Sequence, residues 1–476
     1  MSQKNETVVL VLSLLITIGL AGAGIWWLTS GRGINVGGLS PENQTFSKSP
    51  TGNSPQSEQA IGQRLSAGKK LLISEQATTT KQSAIQAIAS GNYNAAISDL
   101  QASLKSNRND PEALIYLNNA RIGDRKSYTI AAAVPIGADL NAALEILRGV
   151  AQAQNEINQS GISGTPLKVL IANDDNNPEI ASQIASALAN NSEILGVIGH
   201  FSSDTTLAAS KVYQQNQLVA ISPTSTSVQL SGVGSNIFRT VPSDRFAANA
   251  LSRHMLTKLQ KKKAAIFFNS ASGYSKSLKS EFTTALYGDG GQIVSEFDFS
   301  NGNFNAAESV KSAIDQGAEV IMLASNSATL DQALQVVQLN AKRLPLLAGD
   351  DAYTAKMLQI GGAAATDMVL AVPWHILADP QSNFLQTSKQ LWNAEVSWRT
   401  ALAYDATIAL IAGLGRNPTR TGIQQTLSAA DFSATGASGA IRFLPSGDRN
   451  RAVQLVIVKP GNRTSYGYEF VPISGF

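Results

Sequence analysis

Two hydroxyl-rich loops carry the residues of this sequence that could bind a small anion. In the first, Phe201, Ser202 and Ser203 follow an apolar, strand-like run and precede a helix-like stretch. In the second, the stretch SPTSTS surrounds Pro223 after the next apolar run. Backbone amides at the start of a helix lack partners within the helix and attract negative charge, and hydroxyl groups add neutral donors. Two such loops suit a ligand carboxylate, although the same residue types also begin ordinary helices.

Alternating apolar and amphipathic runs from Tyr128 onward must position these loops. Strand-length apolar runs separated by helical segments predict parallel sheets with helices on both faces, in which ligands bind beyond the carboxyl ends of the strands. Nine predicted strands favour an α/β fold with two doubly wound parallel-sheet lobes over a single sheet. These strands are Tyr128–Val134, Leu167–Ala172, Ile194–Gly199, Leu218–Ser222, Lys263–Phe268, Gln292–Phe297, Glu319–Ala324, Leu344–Ala348 and Met368–Val372, and the helical segments between them include Leu140–Asn158, Pro178–Ala189, Asp204–Gln215, Phe246–Leu259 and Ala328–Leu339.

Several motifs in this region, taken in order, resemble one family. The stretch GVIGHFSSDTTLAASKVYQQNQLVAISPTSTSVQL is similar to the leucine/isoleucine/valine-binding family of ABC-transporter solute-binding proteins, which have the type I periplasmic fold. The stretches LKVLIANDDNNPEIASQIASAL, GSNIFRTVPSDRFAANAL, LPLLAGDDAY and ASGAIRFLPSGDR resemble further segments of that family. The resemblance covers residues 127–476 and implies two lobes joined by a three-crossover hinge, which close on an amino acid or a similar small solute.

The resemblance also implies which residues contact the solute. Ser203 matches the family position that holds the ligand carboxylate, and Thr224 and Thr226 match positions that recognise its carboxylate and ammonium groups. Asp350 matches an acidic partner of the ammonium, although aspartate is one methylene shorter than the family's usual glutamate. Asn326 falls at or next to a family tyrosine, a departure that weakens transfer of the ligand class. The remaining candidates are Ser202 beside Ser203, and Phe201, Tyr353 and Trp374 as walls of the side-chain pocket.

Each candidate has a structural alternative. Ser203 could be only a helix cap, the two threonines only turn residues, and Asp350 a surface carboxylate; Phe201 and Trp374 are at least as typical of a core. We expect His200 to be a hydrogen-bonded structural histidine. The pair Asp174 and Asp175 is more typical of a strand-to-helix turn than of a ligand site, so we leave it out of the site.

An uncharged apolar stretch precedes the folded region. Residues 7–28 are long enough to span a bilayer, and the run ends in Trp26 and Trp27, which are typical of the membrane interface. A cleaved signal peptide is the alternative, since Ala21-Gly22-Ala23 offers a cleavage pattern. We expect an anchor over residues 1–28 and a flexible linker over 29–59. The expected location is a bacterial cytoplasmic membrane, with the folded part in the periplasm or extracellular space.

Helical periodicity fills residues 60–125, ahead of the solute-binding region at 127–476. The spacing of Gly91, Tyr93, Ala96 and Leu100 resembles the second helix of a tetratricopeptide repeat, and Asp110 before Pro111 predicts a capped helix start. One repeat and part of another cannot form a free-standing array. The segment is therefore either a packed spacer or a docking surface for a partner.

Composition and missing motifs argue against an enzyme. The chain has 43% hydrophobic residues, a net charge of +3, three histidines and no cysteine, which excludes thiolate chemistry and does not suggest a nucleic-acid binder. It contains no G-x-S-x-G elbow, no H-E-x-x-H and no EF-hand loop, so we expect neither a metal nor a cofactor. The function that follows is capture of an amino-acid-like solute and its delivery to ABC permease subunits. The alternative is a membrane-anchored ligand sensor or assembly module that signals through a partner protein.

Overall fold

A computed structural model describes residues 55–473 of the chain, and its strands form two large sheets and a hairpin. The strands are β1 (Leu65–Ser66), β2 (Tyr128–Val134), β3 (Leu167–Asn173), β4 (Ile194–Ile198), β5 (Val219–Ser222), β6 (Ile237–Arg239), β7 (Lys263–Phe268), β8 (Gln292–Asp298), β9 (Val320–Ala324), β10 (Leu346–Ala348), β11 (Val369–Val372), β12 (Ala434–Gly436), β13 (Gly439–Ile441), β14 (Gln454–Pro460) and β15 (Tyr468–Pro472). The helices are α1 (Pro55–Gln63), α2 (Thr79–Ala89), α3 (Tyr93–Ser106), α4 (Pro111–Ile122), α5 (Leu140–Ile157), α6 (Pro178–Asn190), α7 (Ser203–Gln215), α8 (Asp244–Thr257), α9 (Gly273–Gly288), α10 (Ala306–Asp315), α11 (Leu330–Asn340), α12 (Gly362–Ala365), α13 (Asn383–Trp392), α14 (Trp398–Arg416) and α15 (Arg420–Ser428).

The first sheet forms the core of the first lobe. Its order is β1-β3-β2-β4-β5-β6, and all neighbouring strands are parallel except the short edge strand β1, which runs antiparallel to β3. Helices α5 and α14 pack against each other closely. The close approach requires glycine at position 149, because a side-chain carbon there would lie 2.2 Å from the carbonyl oxygen of Thr400. Helices α6 and α7 pack together and bury Ile184 and Tyr213 with residues of β2, β4 and β5. The central strands are buried as parallel strands covered on both faces should be.

The second sheet forms the core of the second lobe. Its order is β15-β14-β11-β10-β9-β7-β8, in which β8, β7, β9, β10 and β11 are parallel and the last two strands of the chain are antiparallel. Helices α8 and α9 contribute Leu251 and Leu278 to one apolar cluster of this lobe. Helices α10 and α11 contribute Val310 and Val336 to another. Both sheets therefore present the carboxyl ends of their parallel strands to loops that begin helices.

The two-lobed α/β arrangement predicted from the sequence is confirmed. All nine predicted strands form, with ends that differ by at most two residues, and the five predicted helices are present with similar bounds. The short strands β1 and β6, the hairpin β12–β13 and the C-terminal pair β14–β15 were not predicted. Strands of two or three residues are too short to show an alternating pattern.

The chain passes between the lobes three times, at residues 240–243, 373–397 and 442–453. A buried arginine joins these passages. Arg449, which is 1% exposed, donates to Asp405 on α14 at 2.7 Å and to the carbonyl of Thr240 at 3.4 Å. Its second terminal nitrogen donates to the carbonyl of Ala440 at 2.9 Å. The first and third passages are thus tied to the helix that follows the second.

Helices α2, α3 and α4 occupy the segment expected to be helical, and α4 packs onto the first lobe. The side chain of Asn119 donates to the carbonyl of Val169 at 2.7 Å and accepts from its amide at 3.1 Å. Asp110 accepts from the amide of Ala113 and caps α4 as predicted, with Pro111 in the first turn. The described residues form one compact unit, so the boundary expected near residue 126 separates stretches that pack together. The likeness to a tetratricopeptide repeat stays a prediction.

A buried ion cluster holds this helical segment in place. The ammonium of Lys81, fully buried, lies 2.7 Å from Asp110 and 2.9 Å from Glu112. Glu112 also accepts from the amide of Leu72 at 2.8 Å and from the hydroxyl of Tyr116 at 2.9 Å. Burial raises the pKa of Glu112 despite the nearby lysine. Two carboxylates and one ammonium therefore share a site that is closed to solvent.

The expected membrane anchor at residues 1–28 and most of the expected linker lie outside the described residues. Among the helices between residues 55 and 473, none has the length and apolar character needed to cross a bilayer.

Candidate functional site

A cavity of about 440 Å³ lies between the two lobes, at the carboxyl ends of parallel strands from both sheets. The first lobe contributes the loops after β3, β4 and β5, and the second lobe the loops after β7, β9 and β10. Its volume is in the range of small-molecule sites. The lining residues are Asn176, Pro178, Phe201, Ser202, Ser203, Asp204, Thr224, Asn269, Ala271, Ser272, Tyr274, Asn326, Ser327, Ala328, Asp350 and Asp351.

The loop between β4 and α7 brings the first set of donors to the cavity. Ser202 caps α7, because its hydroxyl oxygen accepts from the amide of Thr205 at 3.3 Å. The hydroxyl oxygen of Ser203 accepts from the amide of Ser227 at 3.2 Å, which leaves its O–H free to donate. The amides of Ser203 and Asp204 lie in the first turn, where backbone N–H groups lack helical partners. This corner of the cavity can therefore donate hydrogen bonds to an anionic group.

Hydroxyl groups of the neighbouring loop hold the first loop in position. Thr224 donates from Oγ1 to the carbonyl of Phe201 at 2.6 Å, and Ser222 donates to the carbonyl of His200 at 2.8 Å. Thr224 lines the cavity, and since its proton is used in this way, its hydroxyl oxygen can only accept a hydrogen bond from a ligand. Ser203 and Thr224 thus offer opposite hydrogen-bonding roles, one for an acceptor and one for a donor on a ligand.

His200 lies beneath this loop and has a structural role, as expected. Its ring is fully buried, with Nδ1 at 2.6 Å from Asp174 and Nε2 at 2.8 Å from the hydroxyl of Tyr213. Asp175 forms an ion pair with Arg64 and accepts from the amide of Gly137 at 3.0 Å. Neither aspartate lines the cavity, in agreement with their exclusion from the candidate site.

The second lobe contributes a buried carboxylate. Asp350 is 5% exposed, and its Oδ1 accepts from the hydroxyl of Tyr274 at 2.8 Å. Its other oxygen has no hydrogen-bond partner among residues 55–473. Burial, reinforced by the charges of Asp351 and Asp244, raises the pKa of Asp350 from 3.8 to about 7. The hydroxyl of Tyr274 can come this close only because residue 349 is glycine, since a side-chain carbon there would lie 2.3 Å from the hydroxyl oxygen. Asp350 is therefore a carboxylate that lacks a cationic partner of its own.

Asp351, the next residue, has such a partner in the other lobe. Arg399 on α14 donates to Asp351 at 2.9 Å, and its guanidinium also lies 3.8 Å from Glu145 on α5. The guanidinium is 6% exposed, and the surrounding acids, Asp351 first, raise the pKa of Arg399. Because α14 packs on α5 and Asp351 follows β10, this ion pair joins the two lobes beside the cavity.

Two hydrogen-bonded contacts also join the lobes at the cavity. The carboxylate of Asp204, in the first turn of α7, accepts from the amide of Gly273 at 2.9 and 3.2 Å. The amide of Val228 donates to the hydroxyl of Ser277 on α9 at 3.0 Å. A side chain at Gly273 would lie 2.4 Å from Asp204, so the close approach depends on glycine. The structure therefore shows the lobes in contact across the cavity.

Six of the nine candidate residues line the cavity, namely Phe201, Ser202, Ser203, Thr224, Asn326 and Asp350. The other three do not. Thr226 lies under the site, where its carbonyl accepts from the amide of Asp244 at 2.8 Å. Tyr353 stacks on Phe470 with ring centroids 4.2 Å apart, and Trp374 packs edge-on against Phe384 in the core. The geometry therefore gives no support to a ligand role for these three residues.

The loop between β7 and α9 was missed by the sequence reasoning. It contributes Asn269, Ser272 and Tyr274 to the cavity. The side-chain Nδ2 of Asn269 donates to Oδ1 of Asn326 at 3.0 Å, so the two asparagine side chains meet in the second-lobe wall. A signal was present, because the stretch NSASG follows a correctly predicted strand and contains the Ser272 cap of α9. The rule that ligands bind beyond strand ends applied here as it did in the first lobe.

No group of three or more metal-ligating side chains occurs among residues 55–473. The chemistry of the cavity is that of hydrogen-bond donors from one lobe facing acids and amides from the other.

Comparison with known proteins identifies a family. Residues 127–462 match the model of the periplasmic binding protein family. An amino acid binding protein of Pseudomonas aeruginosa is 33% identical over 132 residues, 27% of this chain and 35% of that protein. The leucine-specific-binding protein of Salmonella typhimurium is 23% identical over 309 residues, 63% of this chain and 82% of its own. The alignments with the relatives from Pseudomonas and Brucella thus span about a third of their length.

Solved structures share the fold. A leucine-binding protein of Thermotoga maritima has a TM-score of 0.64 and 22% identity, covering 72% of this chain and 97% of its own. A branched-chain amino acid binding protein of Streptococcus pneumoniae, in complex with isoleucine, has a TM-score of 0.64 and 20% identity, covering 73% of this chain and all of its own. A solute-binding protein of Rhodopseudomonas palustris, in complex with benzoate, has a TM-score of 0.63 and 15% identity, covering 73% of this chain and 98% of its own.

Proposed function

Because the chain belongs to the periplasmic binding protein family, we propose that it captures an amino acid or a similar small polar solute between its lobes. The observation that carries this proposal is the buried, unpaired carboxylate of Asp350 opposite the donor-rich start of α7. A ligand with an ammonium at one end and a carboxylate at the other complements both walls. The similar proteins named for leucine and isoleucine support the ligand class.

We propose a definite orientation for such a solute. Its carboxylate accepts from the hydroxyl of Ser203 and from the first-turn amides of α7, because these are free donors next to the positive end of a helix. Its ammonium donates to Asp350 and to the oxygen of Thr224, because both are acceptors that face the cavity. Asn326 and Phe201 line the remaining space. An aromatic monocarboxylate such as benzoate lacks a donor for Asp350, which argues against that ligand class here.

Binding by lobe closure follows from the contacts between the lobes. A solute that touches Ser203 and Asp350 at once can do so only when the lobes are together, so it shifts the population toward the closed form. The pairs Asp204–Gly273 and Arg399–Asp351 are made in this same closed form. Inside the closed cavity, charge pairing gains strength because water is excluded.

Thermal unfolding of the purified full-length chain tests this proposal. Each of the twenty amino acids, together with small amides and amines, is added in excess; binding at 100 times the dissociation constant stabilises the chain by about 2.7 kcal/mol. We expect a stabilising ligand in this panel and loss of its effect in Asp350→Asn. Asp298→Asn, a carboxylate of the same lobe that does not line the cavity, is the matched control. Absence of any stabilising solute would contradict the proposal.

We further propose that the folded region is held outside the cytoplasmic membrane by residues 7–28 and delivers its solute to ABC permease subunits. The alternative role as a sensor or assembly module has one observation in its favour: Arg64, just before β1, pairs with Asp175 beside the cavity residue Asn176. Purification from membranes distinguishes the two roles. Permease subunits that accompany the chain support transport, whereas a signalling protein that replaces them supports the sensor.

A further inference from the structure

The side chains that line the cavity carry an unbalanced charge. Three of them are carboxylates, Asp204, Asp350 and Asp351, and the lining includes no lysine, arginine or histidine. Asp244, which is 1% exposed, adds a further negative charge near Asp350, and burial raises its own pKa to about 6. A ligand that enters this cavity meets more negative than positive charge.

The neighbouring cations are already occupied. The guanidinium of Arg399 is shared between Asp351 at 2.9 Å and Glu145 at 3.8 Å. Arg239, the other arginine close to this region, pairs with Asp448 at 2.6 Å. Arg399 acts on Asp350 only through space: it lowers the pKa of Asp350 but does not offset the rise caused by burial and by the charges of Asp351 and Asp244.

The three cavity carboxylates differ in how far they are satisfied. Asp204 accepts twice from the amide of Gly273 and lies at a helix start, which favours negative charge. Asp351 has its arginine. Asp350 has only the neutral hydroxyl of Tyr274 on one oxygen, and its second oxygen is without a partner in the part of the chain that the structure describes. When Asp350 is ionised, a cationic group of the ligand can therefore pair with an oxygen that has no partner of its own.

A zwitterion with no net charge leaves this imbalance in place. Its ammonium neutralises Asp350, but its carboxylate brings a new negative charge beside Asp204 and Asp351. We propose that the solute carries at least one more cationic than anionic group, as a basic amino acid (an excess of one) or a small diamine (an excess of two) does. This inference rests on the proposed function and specifies its ligand class. The first cationic group pairs with Asp350, and the second faces the carboxylates of Asp351 and Asp204.

Isothermal titration of the full-length chain with matched pairs of solutes tests this inference. Arginine and citrulline have nearly the same shape and differ by one charge, and lysine and norleucine form a second pair; agmatine and putrescine extend the series to solutes without a carboxylate. We expect the cationic member of a pair to bind at least tenfold more tightly than its neutral partner. Tighter or equal binding of citrulline and norleucine would overturn the inference while the proposed function stands. Absence of binding by all six solutes would overturn this inference, whereas the proposed function is decided separately by the thermal-unfolding panel of all twenty amino acids, amides and amines.

A variant shows whether the cavity carboxylates cause the preference. Asp351→Asn leaves Asp350 in place, so we expect binding to persist while the ratio of arginine to citrulline affinity narrows. Asp298→Asn is the matched control and should leave the ratio unchanged. Circular dichroism verifies that both variants are folded. A ratio that is unchanged in Asp351→Asn would assign the preference to other groups and contradict the inference.

Discussion

Replacing Asp350 with asparagine should stabilise the ligand-free protein while it removes ligand binding. The folded-state pKa of Asp350 is raised from 3.8 to about 7. Ionisation of this carboxyl therefore opposes folding, and a shift of about three pKa units corresponds to about 4 kcal/mol at pH 8. Asparagine keeps an acceptor for the hydroxyl of Tyr274 but pays its own desolvation, so we expect a net gain of roughly 1–3 kcal/mol.

The stability difference between Asp350→Asn and the unmodified chain should depend on pH. The folded-state pKa lies above the unfolded value, so the stability contributed by protonated Asp350 is fully present below pH 3.8 and is lost as pH rises to 7. The advantage of Asp350→Asn should therefore be largest above pH 7 and fade toward pH 4. Urea denaturation of both proteins across this range measures it.

A control with the opposite sign is available in the same lobe. Hydrogen bonds from Ser270 and Ser300 outweigh the opposing effect of desolvation and lower the pKa of Asp298 to about 2. Its charge favours folding above pH 3.8, and this contribution is lost as pH falls toward 2. Asp298→Asn should therefore reduce stability at neutral pH. If Asp350→Asn proved less stable than the unmodified chain at pH 8, the view of Asp350 as an uncompensated charge would be refuted.

Three further predictions concern the rest of the molecule. Lys81→Met leaves two buried carboxylates without a cation and should lower the free energy of unfolding, measured in urea, by about 3–5 kcal/mol. Adding Glu112→Gln should make this loss smaller. A loss below about 1 kcal/mol would show that the cluster is not desolvated. Gly273→Ala should push Asp204 away, enlarge the radius of gyration in X-ray scattering and weaken ligand binding by about tenfold; unchanged scattering and affinity would contradict the closing role of this contact. Arg449→Met should cost about 3–5 kcal/mol because it leaves a buried aspartate unpaired, as thermal or chemical denaturation would show; a fully stable variant would rule out this role.

Much of the fold followed from periodicity, because both sheets are mainly parallel and buried on two faces. Such strands appear as continuous apolar runs, and helices of ten or more residues separate them. The short β1 was missed because its pairing depends on contacts distant in sequence. The β14–β15 hairpin is local, but β14 joins the sheet through β11, 88 residues earlier at Val369 and Ile457. Strand β1 pairs with β3, where Leu65 lies opposite Ala172, 107 residues further along the chain.

Site residues were predicted correctly where a residue follows a strand and reaches the cavity. The prediction failed where a side chain turns into the core. Ser203 and Asp350 lie on such loops and reach the cavity. Tyr353 and Trp374 also follow strands, but partners from remote elements, Phe470 for the tyrosine, hold their rings elsewhere. Loop position is local information, whereas the direction of an aromatic side chain depends on what the rest of the chain places beside it.

The three passages between the lobes have a consequence for synthesis of the chain from its N-terminus. The first sheet is complete once β6 has been made, but α14, which packs on α5, comes about 160 residues later. Until then the face of α5 that carries Glu145, Gly149 and Glu156 lacks the helix that packs on it. The second lobe must therefore be synthesised before the first can finish folding, so the two lobes do not fold one after the other as independent domains during translation. A chain cut short before Trp398 would leave this face of α5 exposed permanently.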